Sequence, residues 1–202
     1  MISKSVMNIP PPSRPALLFA AALALALALT ACGTPTRSLT MALGPAESLQ
    51  LRSWVPEGLK GQVGLATVQG GESTGRWWGS KVSSTALEQA LEDSLRGLGL
   101  LPMAPTPTPK YQLQVQLLLL DQPMVAAETS VLAMINYSLL DTASGTVLYQ
   151  RVVRTAGTAG LGDALLSQTE RLRLASEAAV RANIASAVRD LLAVKLPDQA
   201  PR

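Results

Sequence analysis

The sequence predicts an α+β domain: a small mixed or antiparallel sheet of about four strands with two helices packed on one face, in the order strand, helix, three strands, helix. Three observations predict it. Residues 111–119 alternate Tyr111, Leu113, Val115, Leu117 and Leu119 with Gln112, Gln114 and Gln116, the period of a strand with one buried and one amide-lined face. Residues 130–140 and 146–155 are strand-like segments around the turn Asp141-Thr-Ala-Ser-Gly145, and read as a hairpin. Thr85 to Glu88 and Ser167 to Glu170 are Ser/Thr-x-x-Glu patterns that each precede an apolar stripe at helical spacing, the pattern of a capped helix.

The remaining elements follow in chain order. Val63, Leu65 and Thr67 alternate with Gln62, Gly64 and Ala66, so a first strand is expected near 62–69, broken by Gly70-Gly71. Leu87, Leu91, Leu95 and Leu98 form the stripe of the first helix, which Gly97 and Gly99 bring to an end. Residues 102–109 carry four prolines and form an extended linker. In the second strand segment Val131, Ala133, Ile135, Tyr137 and Leu139 share a face. The last helix runs to about Leu196, before Pro197, with Val180, Ile184, Val188 and Leu191 as its stripe. Arg173, Glu177 and Arg181 recur every four residues, and a solvated, salt-bridged face is expected there.

The N-terminal segment has a different character. Residues 1–15 contain Lys4 and Arg14 and no acid, and residues 16–29 are an uninterrupted apolar run. A helix of that length reaches about 21 Å, short of the roughly 30 Å hydrocarbon core, so it reads as a secretory signal and not a membrane span. Leu29-Thr30-Ala31-Cys32 at its end fits the bacterial lipobox. Small residues before the cut admit the backbone to a peptidase, and the Cys32 thiol takes a diacylglyceryl group. Cleavage then frees its amine for a further chain. Two or more acyl chains make a stable anchor. Cys32 is the only cysteine, so no intrachain disulfide competes for it. Gly33 follows the cysteine; by resemblance to enterobacterial sorting signals, in which an aspartate at that position retains a lipoprotein on the inner membrane, this implies the outer membrane. The expected organisation is a signal peptide over 1–31, a lipidated flexible tether over 32–58, one domain over 59–196, and a disordered tail over 197–202.

Charge and composition exclude several functions. The chain has 17 basic and 14 acidic residues, two of the basic ones before Cys32, so the mature protein is nearly neutral. There is no run of Lys or Arg, and no nucleic-acid footprint. The absence of histidine removes the usual general base and zinc ligand. With the one cysteine committed to lipid, no catalytic residue, metal site or cofactor is expected. The glycines around Gly70-Gly71 lack the Gly-Lys-Ser/Thr of a phosphate loop.

The best candidate contact surface is Trp77-Trp78, flanked by Arg76 and Lys81 in a Gly-rich loop. Indoles present an apolar body and a polar tip, which suits protein or membrane contact; packing of one of them under the sheet is the competing reading. The expected partners are the membrane, through lipid on Cys32, and an envelope protein.

The segment Trp78 to Gly99, the Tyr111 strand, the hairpin, and the run from Arg171 to Ile184 together resemble small, uncharacterised proteobacterial lipoproteins. The element order is more distantly similar to YajG-type lipoproteins, lipoprotein activators of penicillin-binding proteins, and auxiliary lipoproteins of ABC-type lipid transporters. The resemblance implies a small α/β sandwich that binds something, and it brings no catalytic residues. A non-catalytic interaction or accessory role in the envelope is therefore expected. An auxiliary role in lipid transport is the alternative, with an envelope hydrolase or transferase the less favoured third.

Overall fold

The alternation of residues 111–119 and 130–140 becomes two long neighbouring strands, and the rest of the fold is laid against one of their faces. The computed structural model describes residues 36–71, 81–103, 108–122, 129–164 and 167–196. The chain divides into two units, Met1–Cys32 and Gly33–Arg202, and the second holds every described residue. Its elements are α1 (Ser38–Met41), α2 (Pro45–Arg52), a 3-10 turn (Glu57–Leu59), β1 (Val63–Leu65), β2 (Gln69–Gly70), α3 (Ser84–Leu98), β3 (Tyr111–Asp121), β4 (Thr129–Asp141), β5 (Val147–Ala159) and α4 (Gln168–Leu192). The fold is α+β. β3, β4 and β5 are antiparallel in sequence order, and the short β1 and β2 both run parallel to β3, giving a mixed five-stranded sheet.

The core lies between the sheet and its helices. Tyr111, Leu113, Val115 and Leu117 of β3 and Val131, Ala133, Ile135, Tyr137 and Leu139 of β4 are buried. They join one apolar cluster with Leu87, Leu91, Leu95 and Leu98 of α3 and Val180, Ile184, Val188 and Leu191 of α4. Each such side chain contributes about 1.5–3 kcal/mol by leaving water. α4 comes unusually close to β5: a Cβ at Gly157 would stand 2.3 Å from both Ala175 O and Ala179 N. Thr155 Oγ1 donates to Ala179 O at 2.8 Å, and Asn183 Nδ2 donates to Val153 O at 2.9 Å. These bonds satisfy polar groups where helix backbone meets strand backbone, a place water does not reach.

Several expectations change. Residues 36–58 are not a tether. α1, α2 and the 3-10 turn occupy most of this stretch, and Met41, Leu43, Leu51 and Val55 are buried in the core. Leu49 to Leu51 are helical, within α2, whose first position is taken by Pro45, where its missing N–H costs nothing. The strand expected over 62–69 is split, since the Val68 N–H donates to Glu88 Oε2 of α3 at 3.0 Å instead of to a strand. Glu88 is therefore not a capping-box residue. α3 is capped two residues earlier than predicted, by Ser83, whose hydroxyl accepts from Ala86 N at 3.1 Å. The second predicted helix, α4, does start at the expected cap, with Ser167 Oγ accepting from Glu170 N at 3.2 Å, while the Glu170 carboxylate accepts from Arg173. α4 stops at Leu192, short of the expected Leu196. Leu119 is not in the core: the β3–β4 register shifts between Leu117 and Leu119, and this bulge turns Leu119 outward.

Tyr137 sits fully buried with no hydrogen-bond partner for its hydroxyl among the described residues. Burial, and secondarily the neighbouring Tyr149, push its phenol far above the usual range. Tyr137→Phe is expected to keep or raise stability, by up to about 1 kcal/mol, because an unsatisfied buried hydroxyl is removed. Urea denaturation checks this; a clear loss of stability would show that the hydroxyl is partnered in solution.

Candidate functional site

Among the described residues, two surfaces bear on the candidate contact residues and the amide-lined strand face. The first is the sheet face opposite the helices. Register places Gln114 beside Ser138 and Gln116 beside Asn136, and places Ser138 in turn beside Gln150. These side chains, with Thr67 and Gln69, line a shallow groove of about 210 Å³. The groove offers neutral amide and hydroxyl donors and acceptors, and no ionisable group is among its lining residues, so it suits hydrogen bonding to a polar, uncharged partner surface. Gln112, Gln114 and Gln116 were legible as an amide-lined face; Asn136, Ser138 and Gln150 join them only through strand pairing.

The second surface is a cleft of about 300 Å³ at the far end of β3, lined by Gly71, Lys81, Val82, Leu117 to Leu120 and Gln122. The bulge builds it. Leu118, in phase with the glutamine face, is 45% exposed, and the extra residue in β3 turns Leu119 out beside it, 44% exposed. Gly71, at φ +85°, has no room for a Cβ, which would stand 2.8 Å from Ser84 N. Of the candidate contact residues, Lys81 lines this cleft, whereas Arg76, Trp77 and Trp78 lie outside the described residues, as do Leu29, Thr30, Ala31 and Cys32. Trp54, which the sequence reading did not single out, is exposed after α2.

The chain joins the domain beside this cleft. The Thr36 hydroxyl donates to Lys81 O at 3.3 Å, and Arg37 N–H donates to Glu177 Oε1 at 2.7 Å. Here the expected solvated face of α4 is corrected. Arg173 and Glu177 are both 4% exposed and pair at 2.6 Å, because residues 36 and 37 lie across them. Arg173 also donates to both carboxylate oxygens of Glu170. That bonding holds the Glu170 carboxyl below the usual carboxylate range and raises the Arg173 guanidinium further, with Glu177 adding to it. Arg181 stays exposed and reaches Glu47 of α2 at 3.6 Å. The cluster fastens the N-terminal segment to α4 and is structural.

Among the described residues no group of three or more His, Cys, Asp or Glu is placed to hold a metal ion. No described helix is long and apolar enough to cross a membrane.

No family model and no curated protein sequence matches the chain. Several solved structures are similar to parts of the chain at low scores. A DUF330 protein of Xanthomonas campestris superposes with a TM-score of 0.48 at 16% identity, over 58% of this chain and 67% of that one. A Caulobacter crescentus protein described as a candidate lipoprotein gives 0.41 at 16% identity, over 71% and 90%. The PelC dodecamer of Paraburkholderia phytofirmans gives 0.43 at 15% identity, over 70% and 94%. At these scores and identities no function passes from them to this chain.

Proposed function

We propose that this protein is a lipid-anchored accessory protein of the bacterial cell envelope, held by acyl chains on Cys32 at the periplasmic side of the outer membrane. Its domain binds a partner protein and catalyses nothing. The observation that carries the binding role is the uncovered, amide-lined sheet face. A sheet with one face buried under helices and the other presenting Gln114, Gln116, Asn136, Ser138 and Gln150 offers a broad hydrogen-bonding surface on a rigid base. The tight contact of α4 on β5 at Gly157 favours this reading over a lipid carrier, which needs a groove between sheet and helix.

The anchor rests on Leu29-Thr30-Ala31-Cys32 and the absence of any other cysteine. Cys32→Ser is expected to abolish acyl labelling and to leave the precursor uncleaved by the lipoprotein peptidase; normal maturation of that variant would contradict the anchor. For the binding face, photo-crosslinking residues at 114 and 150 in living cells are expected to give the same discrete adduct, absent when the crosslinker is at 143 on the remote β4–β5 turn. Adducts equal at all three positions, or none from 114 and 150, would remove the sheet face from consideration.

A further inference from the structure

The short connection between Cys32 and the folded domain fixes how the domain meets the membrane. Thr36 is already buried and hydrogen-bonded to Lys81, and Arg37 is bonded to Glu177. Four residue steps separate Thr36 from Cys32, and they span at most about 14 Å when fully extended. An acylated Cys32 lies at the lipid headgroups, so the part of the domain around Thr36 is confined to the membrane surface.

The residues at that end are suited to it. Leu39, one helical turn beyond Thr36, is 79% exposed. Leu118, by alternation, and Leu119, by the bulge, both point outward at the lip of the cleft that Lys81 lines. Leu161 is exposed just past β5, whose last residue, Ala159, pairs with Thr129 at the start of β4. The opposite end carries the turn of Asp141, Thr142, Ala143 and Ser144, in which the Asp141 carboxylate accepts from Ala143 N, Ser144 N and Ser144 Oγ. That turn is polar and self-satisfied, with Val147, 49% exposed, as the apolar side chain directly after it.

We propose that the end of the domain bearing Leu39, Leu118, Leu119 and Leu161 rests on the lipid bilayer itself, with these leucines at headgroup depth. The amide-lined face then stands roughly along the membrane normal, and the Asp141 turn points into the periplasm. The proposal rests on acylation of Cys32. Exposed leucines inserted into the interface bury apolar surface, while a single acyl anchor on a long tether would leave the domain free to tumble.

The test uses the full-length acylated protein in vesicles of phosphatidylethanolamine and phosphatidylglycerol, with no other protein present. Cys32 is the only cysteine, so acylation leaves no free thiol. Leu118→Cys, Leu161→Cys and Ala143→Cys then each accept one fluorescent label. Quenching by headgroup nitroxide lipids is expected to be roughly twofold or more stronger at 118 and 161 than at 143, as for groups 5–10 Å into the interface. Protein that floats with the vesicles but is quenched equally at all three positions overturns the proposal and leaves the anchor intact. Protein that does not float overturns the anchor, and the proposal with it.

Discussion

Gly157→Ala will destabilise the domain by about 3 kcal/mol, the upper end of the range for forcing atoms into a filled interior. The added Cβ would lie 2.3 Å from Ala175 O and Ala179 N and 2.9 Å from Ala178 C. All three are helix backbone, so no side chain can rotate aside. α4 must lift from β5, stretching Thr155 Oγ1 to Ala179 O and Asn183 Nδ2 to Val153 O. Each bond lost between buried groups adds about 1–3 kcal/mol. Urea denaturation of the domain measures it. A variant within about 0.5 kcal/mol of the parent, the usual effect of a surface change, would show that α4 does not sit as described.

Glu177→Ala is expected to cost about 3–5 kcal/mol, as for breaking a buried ion pair from one side. It leaves the Arg173 guanidinium buried with only Glu170 and removes the acceptor of Arg37 N–H. The effect should reach the N-terminal segment: amide hydrogen exchange at residues 36–43 should accelerate more than exchange in β3 or β4. Removing both charges, as Arg173→Met with Glu177→Leu, should recover part of the loss, because no fully buried ion is left unpaired; Glu170 also loses Arg173, but its side chain is 33% exposed and water can solvate it. A double variant no better than Glu177→Ala would mean that the pair acts mainly through Arg37. Acid acts on the same cluster. The folded-state pKa of Glu170 lies below its usual 4.5, so its stabilisation is complete above that value and is lost as the pH falls through the lower, folded one.

The strands and the two long helices were legible because each carries a period. Alternation in Tyr111 to Leu117 and Val131 to Leu139 fixed their buried faces, and Val180, Ile184, Val188 and Leu191 fixed that of α4. Legibility failed where the period fails. Leu117 to Leu120 are four leucines in a row, which carry no phase, so the bulge that exposes Leu119 left no mark in the sequence. Residues 36–58 read as a tether because Met41, Leu43, Leu51 and Val55 are scattered among prolines and polar residues. Their burial depends on distant partners, such as Leu43 N on Ser94 Oγ and Arg37 N on Glu177, which is 140 positions away. The same distance hid the burial of Arg173 and Glu177, whose i,i+4 spacing resembles that of any solvated helix face. Of the binding face, β3 showed half; the other half needed the register.

The shortened tether alters the meaning of Cys32 more than any other correction. With a flexible stretch to residue 58 the cysteine would only localise the domain; with the chain fastened at Thr36 it also orients it. Everything proposed about the envelope therefore rests on the chemistry at one residue. Mass spectrometry of the mature protein purified from membranes addresses it directly. The N-terminal peptide is expected to begin at Cys32 and to carry a diacylglyceryl thioether and an amide-linked acyl chain. A mature protein that begins elsewhere, or has an unmodified Cys32, would contradict the lipid anchor and the membrane orientation built on it.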